Sequence, residues 1–420
     1  MTAMNQASTT PCCAEYAAMS RRSLLRGALV TGASVTFGSA VLSASSASAA
    51  PARGVLLMLS LRGAADGLSL VVPHGDPVYY QARPRIAVPA DVLIAKDALF
   101  GLHPAMAPLL PMWQAGKIAA VQAAGLPVRN RSHFSAMEQL EDANPGSTRR
   151  EGWLNRLISV DSISSPVQAI SLAEGVPPAA LYGPQPYLTA GDVDSVRIAG
   201  DDPDDPTRAR RVSLRTLWGR DRTPLGGSMR STFQAVDEFA PLRETSKTPQ
   251  NGAAYPSSDL GRALSEAARI VRGDVGVEVI TIDQGDWDMH TGLGTVEWGG
   301  LKDNAGELAA SVAAFFTDLG ALGDKVTLLA FSEFGRRVQE NENYGTDHGY
   351  GNAMFVAGAG VVGGYKGVWP GLTNDYDADV LVTTDYRSVL AEVVAARFGA
   401  SPATVFPGFT RSRVGVMAGQ

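Results

Sequence analysis

Cysteine is nearly absent from this chain, whose 420 residues include two, Cys12 and Cys13. Both lie in an N-terminal segment that we expect to be removed, so the remaining chain carries no thiol. This absence excludes disulfide bonds and thiolate metal sites from the mature protein. Any metal ion must be held by histidine, carboxylate or hydroxyl groups.

The N-terminal segment has the features of a twin-arginine export signal. Residues 20–26 read SRRSLLR, an apolar run diluted by glycine covers 27–42, and an A-x-A cleavage site occupies 47–49. The pattern predicts a signal over residues 1–49 and a single folded domain over 50–420. The protein is then expected in the periplasm or outside the cell. The alternative is a disordered tail that only resembles a signal.

Positively charged residues are slightly fewer than negatively charged ones, and long apolar runs are scarce. The chain has 36 Lys and Arg against 42 Asp and Glu, and removal of Arg21, Arg22, Arg26 and Glu15 leaves 33 against 41, a net charge of −8. A mildly acidic surface is not suited to nucleic acid or to anionic membranes as main partners. No later stretch reads as a membrane helix, so we expect no membrane span. The oligomeric state is left open.

Short apolar runs alternate with helical patterns along the rest of the chain. The runs that read as buried strands cover 55–61, 118–123, 167–172, 277–282, 326–331 and 353–357. Apolar stripes at helical spacing cover 260–271, 308–319 and 389–398, the last with Thr384 or Asp385 as its N-cap. This alternation predicts an α/β fold, a doubly wound and mostly parallel sheet with helices on both faces. Segment 200–256, rich in Asp, Arg, Pro and Gly, is predicted to be a surface insertion over the site.

Polar loops stand at one end of these strands, and two of them carry Asp and His pairs. Asp288 and His290 are two residues apart, so they share a face in an extended segment. Asp347 and His348 are adjacent in the glycine-rich stretch GTDHGYG, where they can bend towards one ion or supply two. Asp66 adds a carboxylate after the first strand. Since sites form at the carboxyl ends of strands in open α/β sheets, we predict one or two divalent ions there, zinc, manganese, magnesium or calcium.

The chain has five histidines, and His133 joins His290 and His348 in these loops. His103 precedes a proline at a predicted helix start and is assigned a structural role. His74 lies in a predicted turn, which is the simpler interpretation for it. Glu333 is predicted either to contact the metal or orient a histidine, or to pair with one of the arginines that follow it.

Ser132 is the candidate nucleophile. It precedes a predicted helix, and a helix N-terminus favours negative charge. Arg131 beside it is suited to hold a phosphate or sulfate group in a two-point contact. The alternative is that Ser132 is only the N-cap of the helix. Ser69 is a weaker candidate for the nucleophile.

Eight longer motifs follow one another in the chain. They are LRGAADGLSLVVPHGDPVYYQARP, FGLHPAMAPLLPMWQAGKIAAVQAAG, RSHF, GWLNRL, GDWDMHTG, FSEFGRRV, GTDHGYGNAMFVAGAGVVGG and VTTDYRSVLAEVV. In this order they resemble a large family of exported bacterial proteins catalogued as domain of unknown function 1501, over about residues 53–408. That family is similar to the alkaline phosphatase and sulfatase superfamily.

The resemblance implies an alkaline-phosphatase-like sheet and metal-assisted hydrolysis of phosphate or sulfate esters. The residues that match the order of the superfamily's site are Asp66, Ser132, Asp288, His290, Asp347 and His348. The superfamily has a further histidine late in the chain, whereas no histidine follows His348 here. His133 is the candidate for that ligand position.

We therefore expect an exported, metal-dependent hydrolase of a phosphate or sulfate ester, either a small molecule or a group on a polymer. Ser132 would attack the ester, the metal would steady the developing charge, and Arg131 would orient the anion. Two alternatives are left open. One is a non-catalytic binding or cell-envelope assembly protein that keeps this fold, and the other is a metal-dependent transferase of a phosphate-bearing group.

Overall fold

The computed structural model describes residues 35–37, 40–42, 52–160, 165–173, 175–201, 204 and 206–420. The predicted export signal, including Cys12 and Cys13, lies outside the described residues except for two strands of three residues. The signal therefore stays a prediction.

One sheet of eleven strands organises the described part of the chain. Its strands are β1 (Val35–Phe37), β2 (Ala40–Leu42), β3 (Val55–Leu61), β6 (Ile118–Gly125), β7 (Ala169–Leu172), β8 (Leu188–Ala190), β9 (Val279–Gln284), β10 (Val326–Phe331), β11 (Asn352–Gly358), β12 (Gly364–Lys366) and β13 (Thr384–Asp385). The order across the sheet is β1-β2-β8-β7-β9-β3-β10-β11-β6-β12, and β13 pairs with β6. Two further strands, β4 (Val71–Val72) and β5 (Gly101–Leu102), form a separate pair.

The centre of the sheet is parallel, and all six predicted strands are present. Strands β8, β7, β9, β3 and β10 run in one direction. Strand β11 is antiparallel to both of its neighbours, β10 and β6. Residues 332–351 before it contain no helix, and a parallel return would need a longer crossover connection. The loop between β10 and β11 therefore lies at the edge where β3, β6, β9 and β10 end.

Helices connect and cover these strands. They are α1 (Gly67–Leu70), α2 (Pro77–Ala82), α3 (Leu110–Gln114), α4 (His133–Asp142), α5 (Trp153–Ile158), α6 (Ala209–Trp218), α7 (Pro224–Glu238), α8 (Ala240–Arg243), α9 (Asp259–Gly273), α10 (Gly300–Leu319), α11 (Tyr386–Phe398) and α12 (Pro402–Val405). Three 3₁₀ segments lie at Pro104–Leu109, Ala179–Leu181 and Gly320–Lys325.

Both faces of the sheet are covered, as the uninterrupted apolar runs predict. Along β3, Leu57 and Leu59 belong to a core shared with α9 and α10. The alternate residues Leu56 and Met58 belong to a second core shared with α5 and α11. The predicted N-cap of α11 is confirmed, because the Asp385 carboxylate accepts a hydrogen bond from the backbone N–H of Arg387 at 2.9 Å.

Helix α10 with its 3₁₀ extension, Gly300–Lys325, is long and apolar enough to cross a membrane by length and composition. The expectation that no later stretch has this length is therefore wrong. The apolar side chains Leu308, Val312 and Phe315 are buried in the core shared with α9 and the sheet. Because a core helix meets the same criteria, this segment is only a weak indication of a membrane span.

The predicted insertion, 200–256, forms α6, α7 and α8 in its described part. Phe233 and Phe239 join the same core as α9. The buried guanidinium of Arg269, on α9, donates a hydrogen bond to the carbonyl of Arg243 at 3.0 Å. These contacts attach the segment to one face of the sheet, and its role as a cap over the site stays a prediction.

His103 has the structural role predicted for it. Its ring is fully buried, and Nδ1 accepts a hydrogen bond from the backbone N–H of Ala105 at 3.1 Å, which caps the 3₁₀ segment. Burial, together with the charge of Lys302, lowers the pKa of His103 to about 4.

We predict that the free energy of unfolding falls as the pH is lowered from 6.5 towards about 4. The unfolded chain then binds a proton at this ring that the folded chain excludes, and the full effect is about 3 kcal/mol. His103→Asn keeps a capping acceptor but cannot titrate, so its stability should depend less on pH in this window. Denaturant unfolding at the two ends of the window measures this, and equal pH slopes for both proteins would contradict the prediction.

Candidate metal centre

Four predicted ligands converge at the edge where the parallel strands end. His133 is the first residue of α4, which follows β6. Asp288 and His290 lie in the loop after β9, and His348 lies in the loop between β10 and β11. Strand topology thus gathers residues that are more than 200 positions apart in the sequence, such as His133 and His348.

Their nitrogen and oxygen atoms are close together. The Nε2 atom of His348 lies 3.0 Å from Nε2 of His133 and 2.9 Å from Nε2 of His290. Oδ1 of Asp288 lies 3.3 Å from His348 Nε2, 3.2 Å from His290 Nε2 and 3.6 Å from His133 Nε2. Among the described residues, His133, Asp288 and His348 form the one group that meets the spacing of a metal site.

The other ring nitrogen of each histidine is also held. In every case Nδ1 faces an oxygen acceptor, so the neutral ring carries its proton on Nδ1 and presents the Nε2 lone pair to the centre. The pairs are His133 with Glu333 Oε1 at 2.7 Å, His290 with Asp347 Oδ1 at 3.0 Å, and His348 with the Arg131 carbonyl at 2.9 Å. Metal-binding histidines show this arrangement, because the outer partner fixes the tautomer and the orientation of the ring.

Three lone pairs and a carboxylate oxygen that face one another repel unless a cation lies among them. Zinc bonds of 2.0–2.1 Å in a tetrahedron place the ligand atoms about 3.3 Å apart, and the separations among His133, Asp288 and His348, 3.0–3.6 Å, are close to that value. The residues therefore fit a metal ion by donor type and by spacing. Burial lowers the pKa of His133, but hydrogen bonds with Asp288 and Glu333 raise it overall to about 9. Without a metal this ring therefore holds a second proton at neutral pH, and a bound metal ion would displace it.

Arg336 supports the carboxylate of the centre. Its side chain is fully buried, and Nη2 donates to Asp288 Oδ1 at 2.7 Å. The sequence indicated Arg336 only as one of two arginines that could pair with Glu333. Glu333 instead accepts from His133, from the Ser332 hydroxyl at 2.8 Å and from the Gly63 N–H at 2.9 Å, which supports its role in orienting a histidine.

Two glycines beside Asp347 and His348 are required by close backbone contacts. A Cβ atom at Gly345 would lie 2.2 Å from the His290 carbonyl oxygen, and one at Gly349 would lie 2.3 Å from the carbonyl carbon of Arg336. The Asp-His pair thus lies in a loop pressed against two other parts of the site. Asp347 holds His290 from behind and does not join the four converging atoms.

The structure places Asp66 away from this centre. Its carboxylate forms a buried two-point ion pair with Arg83, at 2.5 Å and 3.0 Å, and accepts from the Ser69 hydroxyl at 2.6 Å. Arg83 also donates to the carbonyls of Arg337 and Val338 at 2.8 Å and 2.9 Å. These hydrogen bonds use both oxygens of Asp66 and the hydroxyl of Ser69. They connect α1 and α2 to the loop after β10.

Ser132 is the N-cap residue of α4 by position, but its hydroxyl does not cap the helix. The side chain is half-buried and precedes His133 directly. The guanidinium of Arg131 is bound to Asp379, with 2.6 Å between Nη2 and Oδ2. Arg131 therefore enters the site through its carbonyl oxygen, which holds His348, and not through its charge.

The chain belongs to the family described as "Protein of unknown function (DUF1501)", whose model matches residues 102–392. This finding confirms the resemblance of the sequence motifs. None of the curated proteins matches the chain.

Solved structures with partial similarity to the chain include the following three. The zinc complex of the C-terminal periplasmic domain of EptC from Escherichia coli has 11% identity and a TM-score of 0.34, covering 78% of this chain and 77% of that one. The lipoteichoic acid synthase LtaP from Listeria monocytogenes has 8% identity and a TM-score of 0.31, covering 94% and 80%. The phosphonate monoester hydrolase of Agrobacterium radiobacter has 10% identity and a TM-score of 0.34, covering 82% and 74%. Similarity of this size carries no conclusion about the activity of this chain.

Glu333→Gln should weaken zinc binding by about 10–100-fold, because the variant no longer holds His133 with a charged acceptor. Competition with a chelator of known affinity measures the change. Glu244→Gln, on an exposed glutamate, is the matched control and should bind like the wild type. Equal affinity in all three proteins would argue against a metal at these histidines.

Asp66→Asn should keep the metal but lower the free energy of unfolding by about 3–5 kcal/mol, because it leaves Arg83 with an unpaired buried charge. Asp288→Asn should lose the metal, and it should lose stability as well, because Asp288 is the carboxylate that pairs with the buried Arg336. Elemental analysis and denaturant unfolding of both variants separate the two roles. Adding Arg83→Met to Asp66→Asn should restore much of the stability, since it removes the unpaired charge. Loss of metal from a folded Asp66 variant would return Asp66 to the ligand set.

Proposed function

We propose that this protein is an exported, metal-dependent hydrolase of phosphate or sulfate esters. The observation that carries the proposal is the convergence of three imidazole Nε2 atoms and the Asp288 carboxylate, with every Nδ1 held from behind. Such preorganisation is typical of metal sites and has no evident use in a structural cluster. The predicted export signal supports a location in the periplasm or outside the cell.

Zinc is the ion that this donor set favours among the four considered. Three imidazoles and one carboxylate suit zinc, whereas calcium and magnesium prefer sites built from oxygen ligands. A zinc ion held by His133, Asp288 and His348, with His290 beside it, would keep a coordination position open and would supply Lewis-acid polarisation of a phosphoryl or sulfuryl oxygen. One cluster in the described residues also favours one ion over two.

Ser132 is the residue that we propose as nucleophile. It lies at the N-terminus of α4, where the helix dipole and free N–H groups stabilise negative charge on the attacking oxygen and on the ester. Its hydroxyl is not used as a helix cap, and its neighbour His133 is part of the centre. Attack would form a bond from Ser132 Oγ to phosphorus or sulfur, release the alcohol, and leave an ester on serine for water to hydrolyse.

A non-catalytic binding protein is the second candidate, and one observation favours it. The Arg131 guanidinium, expected to orient the anion, is paired with Asp379 at 2.6 Å. Arg129 also contacts Asp379, at 3.1 Å from its Nε atom. An ester anion would therefore have to compete with Asp379 for these arginines, or bind through the metal and the helix N-terminus alone.

The decisive experiment combines metal analysis with a substrate screen. Wild-type protein purified from the periplasm should hold about one equivalent of zinc. His348→Ala should hold much less, because His348 Nε2 lies 2.9–3.3 Å from each of the other three donor atoms and its loss opens the centre. Zinc-loaded wild type is then assayed on aryl phosphate and aryl sulfate esters. Ser132→Ala should retain zinc and lose about 10²-fold or more in turnover, as expected for a nucleophile.

Each result separates the candidate functions. Turnover that needs both zinc and Ser132 supports the hydrolase, and transfer to an added alcohol in place of water would identify a transferase. Zinc without turnover on any ester supports the binding protein. A folded wild type that takes up no divalent ion would reject the metal-dependent mechanism altogether.

A further inference from the structure

A second site of chemical interest lies beside α4, on the opposite side of this helix from His133. A cavity of about 680 Å³ opens there, within the size range of small-molecule sites. Its lining includes Ser135, Gln139, Asp142, Asn144, Thr148 and Arg387. Residues 135, 139 and 142 share a face at helical spacing, and that face is turned away from residue 133.

Asp142 is the unusual member of this lining. It is 7% exposed, and Arg156 acts on its carboxylate through charge without a hydrogen bond to either oxygen. The two arginines of the cavity already have partners, since Arg387 forms a two-point ion pair with Asp385 and Arg150 pairs with Glu138. The cavity thus contains one buried carboxylate whose charge is not compensated by a direct ion pair.

Three features make this carboxylate unfavourable for the fold. It is buried, it is adjacent to Glu141, and it is the last residue of α4, where the helix dipole is negative. Burial raises the pKa of Asp142 to about 6, with Arg156 opposing the shift and Glu141 adding to it. A residue that costs stability in this way and faces a cavity is suited to bind a ligand.

We propose that this cavity binds a small polyhydroxylated molecule that carries a protonated primary amine, that is, an amino sugar. The ammonium group would donate hydrogen bonds to Asp142 and compensate its charge. Asn144 and Thr148 can donate and accept hydrogen bonds, which suits hydroxyl groups of the same ligand. The acidic net charge of the mature chain also favours a cationic ligand over an anionic one.

This site is separate from the metal centre and does not depend on the proposed hydrolase activity. His133 and Asp142 stand at opposite ends of α4, nine residues and about 13 Å apart along the helix axis. Substitution at Asp142 therefore leaves the zinc ligands in place. Failure of one proposal would not affect the other.

The test uses calorimetric titration of the full mature protein near neutral pH. Glucosamine should bind at least about tenfold more tightly than glucose, which lacks the amine, or N-acetylglucosamine, whose nitrogen carries no charge. Asp142→Asn should remove this preference while keeping the wild-type zinc content. Asp375→Asn, on an exposed aspartate with no assigned role, is the matched control and should keep the preference.

Stability without ligand gives an independent measurement. Because the folded-state pKa of Asp142 is raised, its ionised form destabilises the fold above about pH 6. Asp142→Asn should therefore unfold at higher denaturant concentration than the wild type near neutral pH. Equal binding of the three sugars, glucosamine binding that survives in Asp142→Asn, or binding only of a divalent cation would overturn the proposal.

Discussion

The site depends on one buried guanidinium. Arg336 is enclosed by three loops, and its N–H groups donate to one carboxylate and four backbone carbonyls. These acceptors are Asp288 Oδ1 at 2.7 Å, Gly63 O at 2.6 Å, Ala64 O at 2.6 Å, Thr346 O at 3.0 Å and Trp287 O at 3.2 Å. A planar group with five donors can fix three chain segments at once, which the single ammonium of lysine cannot do in the same geometry. The loops after β3, β9 and β10 therefore share one anchor, and the positions of Asp288 and His348 follow from it.

The charges around this anchor match a divalent ion. Asp288, Glu333 and Asp347 contribute three negative charges and Arg336 one positive charge, so the neutral-imidazole centre carries −2. A dication would bring the sum to zero. Glu333 is almost fully buried, and its pKa is held down despite burial by hydrogen bonds from His133 and Ser332. The charges of Glu333 and Arg336 are buried and weakly screened, whereas the Asp347 carboxylate is 54% exposed and contributes less to this balance.

Apolar periodicity predicted the central strands, and strand order predicted which side chains converge at the site. Neither predicted which side chains hold those residues in place. Uninterrupted apolar runs give the central strands, and because parallel strands end at one edge, His133, Asp288, His290 and His348 could be expected to meet. Asp66 also follows a parallel strand, so the same argument predicts it at the metal centre. It lies outside the centre because its carboxylate pairs with Arg83, and only the tertiary fold identifies this partner. Arg336 was missed for a related reason. Arginine side chains are usually exposed, so the sequence gives no reason to expect a buried one. Only the fold shows the backbone carbonyls that accept hydrogen bonds from Arg336 and allow its burial.

Helix α4 runs from the candidate metal centre at His133 to the cavity at Asp142. The contacts at its C-terminal end explain how the Asp142 carboxylate can remain unpaired. The last carbonyls of a helix need donors. Here Arg156 donates to the Asp142 carbonyl at 2.5 Å, and the Tyr386 hydroxyl donates to the Gln139 carbonyl at 3.0 Å. The helix is therefore closed by buried side chains from α5 and α11, and the Asp142 carboxylate has no part in ending it. The Asp142 carboxylate is thus free of any part in the fold and lines the cavity, where it is available to a cation, whereas the imidazoles at the other end of α4 are held in orientation by their Nδ1 partners.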